Sequence, residues 1–254
     1  MIKTTLIDAD IVTFQAAAGN EQTLSWGSDG SSLILDPDLA LFKCRERISD
    51  IQRRTEAEEV LLCFSGSANF RYQALKTYKH NRRGKRKPKL LGSLREQLCD
   101  LYPNACENRL EADDLMGIYQ AEDDSTCIAT IDKDLDQIHG FHYNWKHDNL
   151  YDIPKREALW FQWFQVLTGD STDGYKGIPG VGPKKADKIL GAYRDDKLKL
   201  HEQEQEYAWA CHEAYKAKDI SDKDYHAQVA VAQILRDGMW DPEERMVLTY
   251  YKGY

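Results

Sequence analysis

Carboxylates are the side chains of this sequence best placed to do chemistry. They recur as Asp8 and Asp10; Glu111, Asp113 and Asp114; Asp132, Asp134 and Asp136; and Asp170 and Asp173. Few of them fall in solvated charge runs. Several carboxylates in one pocket repel each other and take up protons unless cations compensate, and hard divalent ions with oxygen ligands are the ordinary solution. Magnesium is implied, with manganese able to replace it. Two such ions about 3.5 to 4 Å apart would activate a water and stabilise the leaving oxygen of a phosphodiester. Each acidic group alone could cap a helix or complement its dipole. Capping does not account for all four together.

The charge distribution supplies the second half of that chemistry. The chain carries 34 Lys and Arg against 42 Asp and Glu, a net charge of −8. Between Val60 and Arg95 there is no acid, yet Arg71, Lys76, Lys79, Arg82, Arg83, Lys85, Arg86, Lys87, Lys89 and Arg95 give +10, which leaves −18 for the remainder. An acidic protein with one dense basic block points to a polyanion gripped locally beside an acidic site.

The elements that must position these groups read as an α/β protein. Lys3 to Asp8 is a short strand that ends on a carboxylate, followed by a helix over Ile11 to Ala18. Asp36-Pro37 starts a second helix, with Asp as cap and Pro at the first position. Glu59 to Phe64 and Ser125 to Ile131 are apolar runs of strand length, and Leu90 to Leu101 and Glu111 to Ala121 have helical spacing. This alternation predicts a mainly parallel twisted sheet with helical cover. The carboxyl ends of such strands line one crevice, where Asp8 and Asp132 should meet. Past residue 154 helices dominate: Lys155 to Leu167, Pro183 to Leu190, Glu202 to Ala217 and Asp222 to Leu235. The predicted organisation is therefore an α/β core over 1–154, with its basic region at about 70–95, and a helical module over 155–254 packed on it.

Within that module, Gly177-Ile178-Pro179-Gly180-Val181-Gly182-Pro183-Lys184-Lys185-Ala186 reads as a helix-turn-helix hairpin. Its backbone N–H groups around Gly180 and Gly182, with Lys184 and Lys185 beside them, suit a phosphate without regard to base sequence.

Together these residues resemble the 5′ nuclease family: flap endonucleases, the nuclease domain of bacterial DNA polymerase I and, above all, bacteriophage 5′ to 3′ exonucleases. The matching stretches are Leu6-Ile7-Asp8, Phe70-Arg71 with Tyr78-Lys79-His80-Asn81-Arg82, Leu110-Glu111-Ala112-Asp113-Asp114, Ile131-Asp132-Lys133-Asp134, and Thr168 to Tyr175 running into the hairpin. They occur in the family's order and span most of the chain. The stretch Val229 to Arg236 shares the flavour of the phage enzymes.

The resemblance implies a PIN-like 5′ nuclease fold with a basic helical arch over the site and a C-terminal helix-hairpin-helix module of the H3TH type. It assigns Asp8, Glu111, Asp113 and Asp114 to one metal site and Asp132, Asp134, Asp170 and Asp173 to a second. Lys79 and Arg82 match the arch residues that contact the scissile phosphate and are the catalytic cations, while Tyr78 stands where a ring can stack on a terminal base. Arg71, Arg83, Lys85, Arg86 and Lys87 join them in binding DNA. Two Mg²⁺ ions are expected, with Mn²⁺ as substitute, and a K⁺ ion at the glycine hairpin. The expected partner is DNA with a 5′ end or flap, or an RNA/DNA hybrid, met by a monomer.

One departure stands out. The family usually carries an aspartate a few residues before Phe-Arg, whereas Phe64-Ser65-Gly66-Ser67-Ala68-Asn69 contains no acid. The first metal site is then one ligand poorer, with a serine or water filling in. Asp10 and Asp136 are extra acids expected to support the ligands from behind.

Other features have plainer readings. His139, His142 and His147 lack zinc-motif spacing and read as surface histidines. Trp160, Phe161, Trp163, Phe164 and Leu167 read as core packing. Six scattered cysteines without a C-x-x-C pair fit reduced thiols. No apolar run is long enough to cross a bilayer, and the N-terminus lacks a signal-peptide core, so a cytoplasmic location is expected. Two other functions compete. Asp8-Ala9-Asp10-Ile11-Val12 fits the D-x-D-x-[T/V] pattern of aspartyl-phosphate phosphohydrolases, and a non-catalytic DNA structure-binding protein would use the same basic surface.

Overall fold

The computed structural model describes residues 1–26 and 31–248. Its centre is a six-stranded sheet in the order β5-β4-β1-β6-β7-β8. These are β1 (Thr4–Asp8), β4 (Glu59–Ser65), β5 (Asn104–Glu107), β6 (Thr126–Ala129), β7 (Gly140–Asn144) and β8 (Asn149–Ile153). The first five run parallel and only β8 is antiparallel, to β7. Two further strands, β2 (Glu21–Ser25) and β3 (Ser31–Leu35), pair with each other apart from the main sheet.

Alternation along the strands explains the two-sided cover. Ile7, Leu62, Phe64, Cys127 and Ala129 pack on one face against α1 (Ala9–Gly19), α2 (Pro37–Thr55) and α4 (Leu91–Leu101). Their neighbours Leu6, Cys63 and Ile128 pack on the other face against α5 (Ala112–Glu122) and the segment from Ile234 to Met239. Strands buried on both faces must be apolar along their length, which is how Val60 to Phe64 reads. The cap of α2 is the one its sequence predicts: Asp36 Oδ1 accepts from Leu39 N at 3.0 Å, and Pro37 opens the helix.

A second core holds the helical module, α6 (Lys155–Thr168), α7 (Pro183–Gly191), α8 (Leu200–Lys216) and α9 (Asp222–Ala232). Trp163 and Leu167 are fully buried in it, and Trp160 and Phe164 pack against it. The chain does not stay there. Helix α9 ends at Ala232, three residues before the predicted Leu235, and Ile234, Leu235 and Met239 return to the face of the sheet covered by α5. A Cβ on Gly117 of α5 would lie 2.3 Å from the Leu235 carbonyl oxygen, so only glycine permits that approach. The tail then forms a small hairpin of β9 (Trp240–Asp241) and β10 (Met246–Val247), where helix alone was expected. The helices packed in this second core begin with α6 at Lys155, and the segment from Ile234 to Met239 packs with the sheet instead.

The basic region is a span and not a continuous helix. It contains α3 (Arg71–Ala74) and one 3₁₀ turn (His80–Arg82), with turns and extended backbone over 83–90. The cations from Arg82 to Lys87 would repel one another at helical spacings with no acid to pair them, and Gly84 and Pro88 break the run. The far end is moored to β2, where Glu21 accepts from Lys89 N at 2.8 Å and pairs with Arg86.

Candidate active site

A cavity of about 1290 Å³ opens at the carboxyl edge of the parallel strands. Asp8 ends β1, Ser65 ends β4, Glu107 ends β5 and Asp132 follows β6, and all four line it. Asp10, Glu111 and Asp113 add to its acidic lining, and Lys79, Arg82, Arg83 and Lys87 of the basic span line it as well. The two motifs furthest apart in charge are thus neighbours in space.

Backbone geometry aims the acids. Asp8 caps α1: Oδ1 accepts from Ile11 N at 3.1 Å, while Oδ2 accepts from Thr130 Oγ1 at 3.1 Å. Asp132 caps the 3₁₀ turn Lys133–Gln137 through Asp134 N at 3.0 Å. Glu111 and Asp114 form a capping box at the start of α5. Capping and a place in the cleft are not alternatives, since the same carboxylate does both.

Burial, then Asp10, pushes the Asp8 carboxyl up to about 7, and Asp132 adds to it. Burial, then Asp8 and Asp132, pushes Asp113 well above the usual carboxylate range. Burial, Asp132 and Asp170 push Asp134 up to about 7. These groups face one another, and no lysine or arginine is paired with Asp8, Asp113, Asp132 or Asp134 among the described residues. Positive charge is what this wall lacks, and a hard divalent cation with oxygen ligands fits that donor set. Among the described residues no three acidic, histidine or cysteine side chains converge as a closed cage. Magnesium does not demand one, because it is usually held by one or two carboxylates and keeps several waters.

Asp114, Glu111, Asp170 and Asp173 have cationic partners. Asp114, 0% exposed, takes the two terminal guanidinium nitrogens of Arg71 at 2.6 Å and the N–H groups of Glu111 and Leu235 at 3.1 Å. Its oxygens are fully used, so it is a strut and not the metal ligand the sequence suggested. Arg71 is 2% exposed and also donates to the carbonyls of Val231 and Gln233, so it ties the span to the end of α9 and is out of reach of DNA. Tyr78 is likewise buried, with its hydroxyl donating to Glu111 at 2.7 Å and Asp173 at 3.2 Å. A ring locked in the helical core cannot stack on a terminal base. Glu111 accepts from Lys79 Nζ at 2.5 Å. Burial alone would raise its pKa, but Lys79 and Arg71 outweigh that and hold it at about 2.

Asp170 and Asp173 lie on the turn after α6, outside the cavity lining. Asp170 accepts from Thr172 N at 2.6 Å and stands 3.8 Å from Lys133 Nζ. Asp173 binds Arg82 at 2.6 Å, and its carbonyl accepts from Lys79 N at 2.7 Å. A Cβ on Gly174 would sit 2.7 Å from the Thr77 carbonyl oxygen, so a glycine lets this turn press on the span. Gly169 and Gly177, at φ 69° and 58°, pack backbone to backbone behind it. The hairpin beyond is open: Gly180 and Gly182 have nothing within 4 Å of a Cβ, and Lys184 and Lys185 are exposed. Lys185 Nζ donates to the Gly180 carbonyl at 2.7 Å, so an ammonium occupies one carbonyl of the turn.

Among the lesser expectations, Asp136 accepts from Tyr151 at 2.9 Å, away from the cleft. His142 is not a surface histidine: it is 1% exposed, with Nε2 2.8 Å from the Ile138 carbonyl oxygen. The apolar surroundings that bury it lie on both sides of β7, which its polar flanks conceal. Sequence reading assigned no site role to Arg95, which lines the cavity and donates to the Ser65 carbonyl at 2.9 Å. Its place in the acid-free run was the available signal.

A twisted parallel sheet with an acidic cleft at its carboxyl edge, crossed by a cationic span and joined to a helical hairpin module, has the architecture of a 5′ nuclease. No family model matches the chain. It is 30% identical to the exodeoxyribonuclease of Enterobacteria phage T3 over 189 residues, which cover 70% of this chain and 63% of that one. It is 27% identical to the exonuclease of Escherichia phage T7 over 262 residues, 91% of this chain and 87% of that one. The D15 flap endonuclease of bacteriophage T5, solved as a complex with DNA and metal ions, has the same fold at TM-score 0.60 and 15% identity, covering 91% of this chain and 99% of that one. Over most of its length the chain is thus similar to phage exonucleases and shares the fold of a 5′ nuclease. Among its described residues no helix is long and apolar enough to cross a membrane.

Proposed function

We propose that this chain is a metal-dependent 5′ to 3′ exonuclease and flap endonuclease of phage type, hydrolysing DNA phosphodiesters from 5′ ends during replication, primer removal or recombination. The observation that carries the reading is the acid-lined cleft set directly against the cationic span, with the open glycine hairpin on the adjoining module. The cavity, about 1290 Å³, exceeds the roughly 300 to 1,000 Å³ usual for small-molecule pockets. Its size and its row of cations suit the end of a polyanion better than the phosphomonoester of an aspartyl-phosphate enzyme.

Two magnesium ions, for which manganese substitutes, supply when bound the Lewis acidity that polarises the phosphoryl group and activates water. Asp8, Asp113 and Asp132 would hold the first, and Asp134 and Asp170 the second, while Asp173 is already engaged by Arg82, Tyr78 and Lys79. The remaining work belongs to the chain. Lys79 and Arg82 donate to the non-bridging oxygens of the scissile phosphate and offset the charge that grows there. Glu111 and Asp173 hold these two cations ready until the phosphate competes for them. Arg83, Lys85, Arg86 and Lys87 follow neighbouring phosphates, and the hairpin amides at Gly180 and Gly182, with Lys184 and Lys185, hold the duplex backbone without reading bases. The substrate is duplex DNA with a 5′ end or flap, or an RNA/DNA hybrid, met by a monomer in the cytoplasm of a bacterial or phage-infected cell.

End-labelled flap, nicked and blunt duplexes incubated with titrated Mg²⁺ test this. The expected result is 5′-terminal products that grow with magnesium and vanish with chelator. Persistent DNA binding without product at any magnesium concentration would instead make the chain a DNA structure-binding protein, and turnover of a chromogenic phosphomonoester but not DNA would make it a phosphohydrolase.

A further inference from the structure

The turn after β4 carries no acid, and both of its serine hydroxyls are already engaged within the protein. Ser65 Oγ accepts from Ala112 N at 3.0 Å, and Ser67 Oγ donates to Asn108 Oδ1 at 2.6 Å. Gly66 cannot carry a side chain, because a Cβ would lie 2.2 Å from the Glu107 carbonyl oxygen. A neutral hydroxyl at either position adds no negative charge, so a serine there does not replace the charge of the missing acid.

Asp10 reaches the same place from the neighbouring strand's helix. Its Oδ2 accepts from Ser65 N at 2.8 Å, which lays the carboxylate over the end of β4. Asp10 lines the cavity beside Asp8, Asp113 and Asp132. Among the described residues its other oxygen accepts no hydrogen bond, and neither oxygen meets a cation. A carboxylate fixed by one oxygen with the other bare in an acidic cleft is arranged for monodentate coordination.

We infer that Asp10, seated on the Ser65 amide, is a ligand of the first metal ion and replaces the acid that the Ser65 to Asn69 turn lacks. This rests on the nuclease reading of the cleft. It differs from a supporting role behind the ligands, because Asp10 itself lines the cavity and no ligand hydrogen-bonds to it.

The test is Mn²⁺ binding without DNA, read from the loss of the free aquo-ion signal in electron paramagnetic resonance, on the whole chain and on Asp10→Asn, Asp8→Asn and Asp10→Asn/Ser65→Asp. Asp10→Asn keeps an oxygen for the Ser65 amide and should melt as the parent does. Its Mn²⁺ affinity should fall by about tenfold or more, and the added acid at Ser65 should restore most of the loss. Parent-like affinity in Asp10→Asn, with Asp8→Asn impaired, overturns the inference and leaves the nuclease reading intact. Parent-like affinity in both variants removes the metal from the cleft, and the nuclease reading falls together with the inference. Failure of Ser65→Asp to restore binding in a folded double variant also counts against the inference, since an acid at the end of β4 would then not be what the ion needs.

Discussion

Asp113 and Asp114 are adjacent in sequence, equally acidic and both in the first turn of α5, yet they meet opposite environments. Asp114 points inward to a buried guanidinium that uses both its oxygens. Asp113 points into the cleft, where burial, Asp8 and Asp132 push its pKa up. The difference is one step of about 100° around a helix. It separates an acid that holds the protein together from an acid left in need of a cation.

Breaking the inward partner should be the most costly change. Asp114→Ala leaves the Arg71 guanidinium uncompensated in the core, at a cost of about 3 to 5 kcal/mol, and chemical denaturation should show it. An Arg71→Met/Asp114→Leu pair should lose much less. If Asp114→Ala unfolds at the parent's midpoint, the strut assignment is wrong. In the cleft, Asp132→Ala should leave the melting transition in place and lower cleavage by about 10³-fold, equivalent to roughly 4 kcal/mol of barrier. Unchanged turnover in purified Asp132→Ala would remove the chemistry from this wall. Third comes the link between the two regions, Lys79, which bridges Glu111 and Asp173. Lys79→Ala should reduce single-turnover cleavage by about 10²-fold while Mn²⁺ binding stays near the parent's, because Lys79 serves the phosphate. A loss confined to DNA affinity would reassign it to grip alone.

The same pair of residues shows how far the sequence is legible. Acid types, their order and the acid-free basic run point to a cleft under a cationic span, because strand ends in a parallel sheet share one edge. Which carboxylate faces the cleft depends on Arg71, 43 residues before Asp114, and no local spacing encodes that distance. For the same reason Arg71 and Tyr78 read as DNA contacts when their charge and ring are in fact buried. Helix α9 stops early because Arg71 takes the Gln233 carbonyl and Asp114 takes the Leu235 amide, partners outside any sequence window. The pairing of β2 with β3 and the mooring of Arg86 and Lys89 on Glu21 are equally non-local.

A titratable group outside both regions sharpens the contrast, because it separates cleft electrostatics from ordinary burial. Burial holds the neutral form of His142 and moves its pKa from 6.5 down to about 4. The unfolded chain binds this proton below pH 6.5 and the folded chain does not, so the contribution is complete above 6.5 and is lost as pH falls toward 4. Between pH 7 and 5 the loss should be about 2 kcal/mol. The cleft acids have the opposite sign: Asp8, at about 7, takes up a proton more readily in the folded state, so acidification relieves repulsion there. Chelator-treated protein should therefore gain stability as pH drops through about 7, with the His142 loss offsetting only part of that gain below 6.5, and saturating Mg²⁺ should erase the gain and leave the later loss exposed. His142→Gln should remove the later loss alone. Denaturation midpoints measured at several pH values with and without Mg²⁺ would check this, and a pH response that magnesium does not alter would mean that the cleft acids are not short of positive charge.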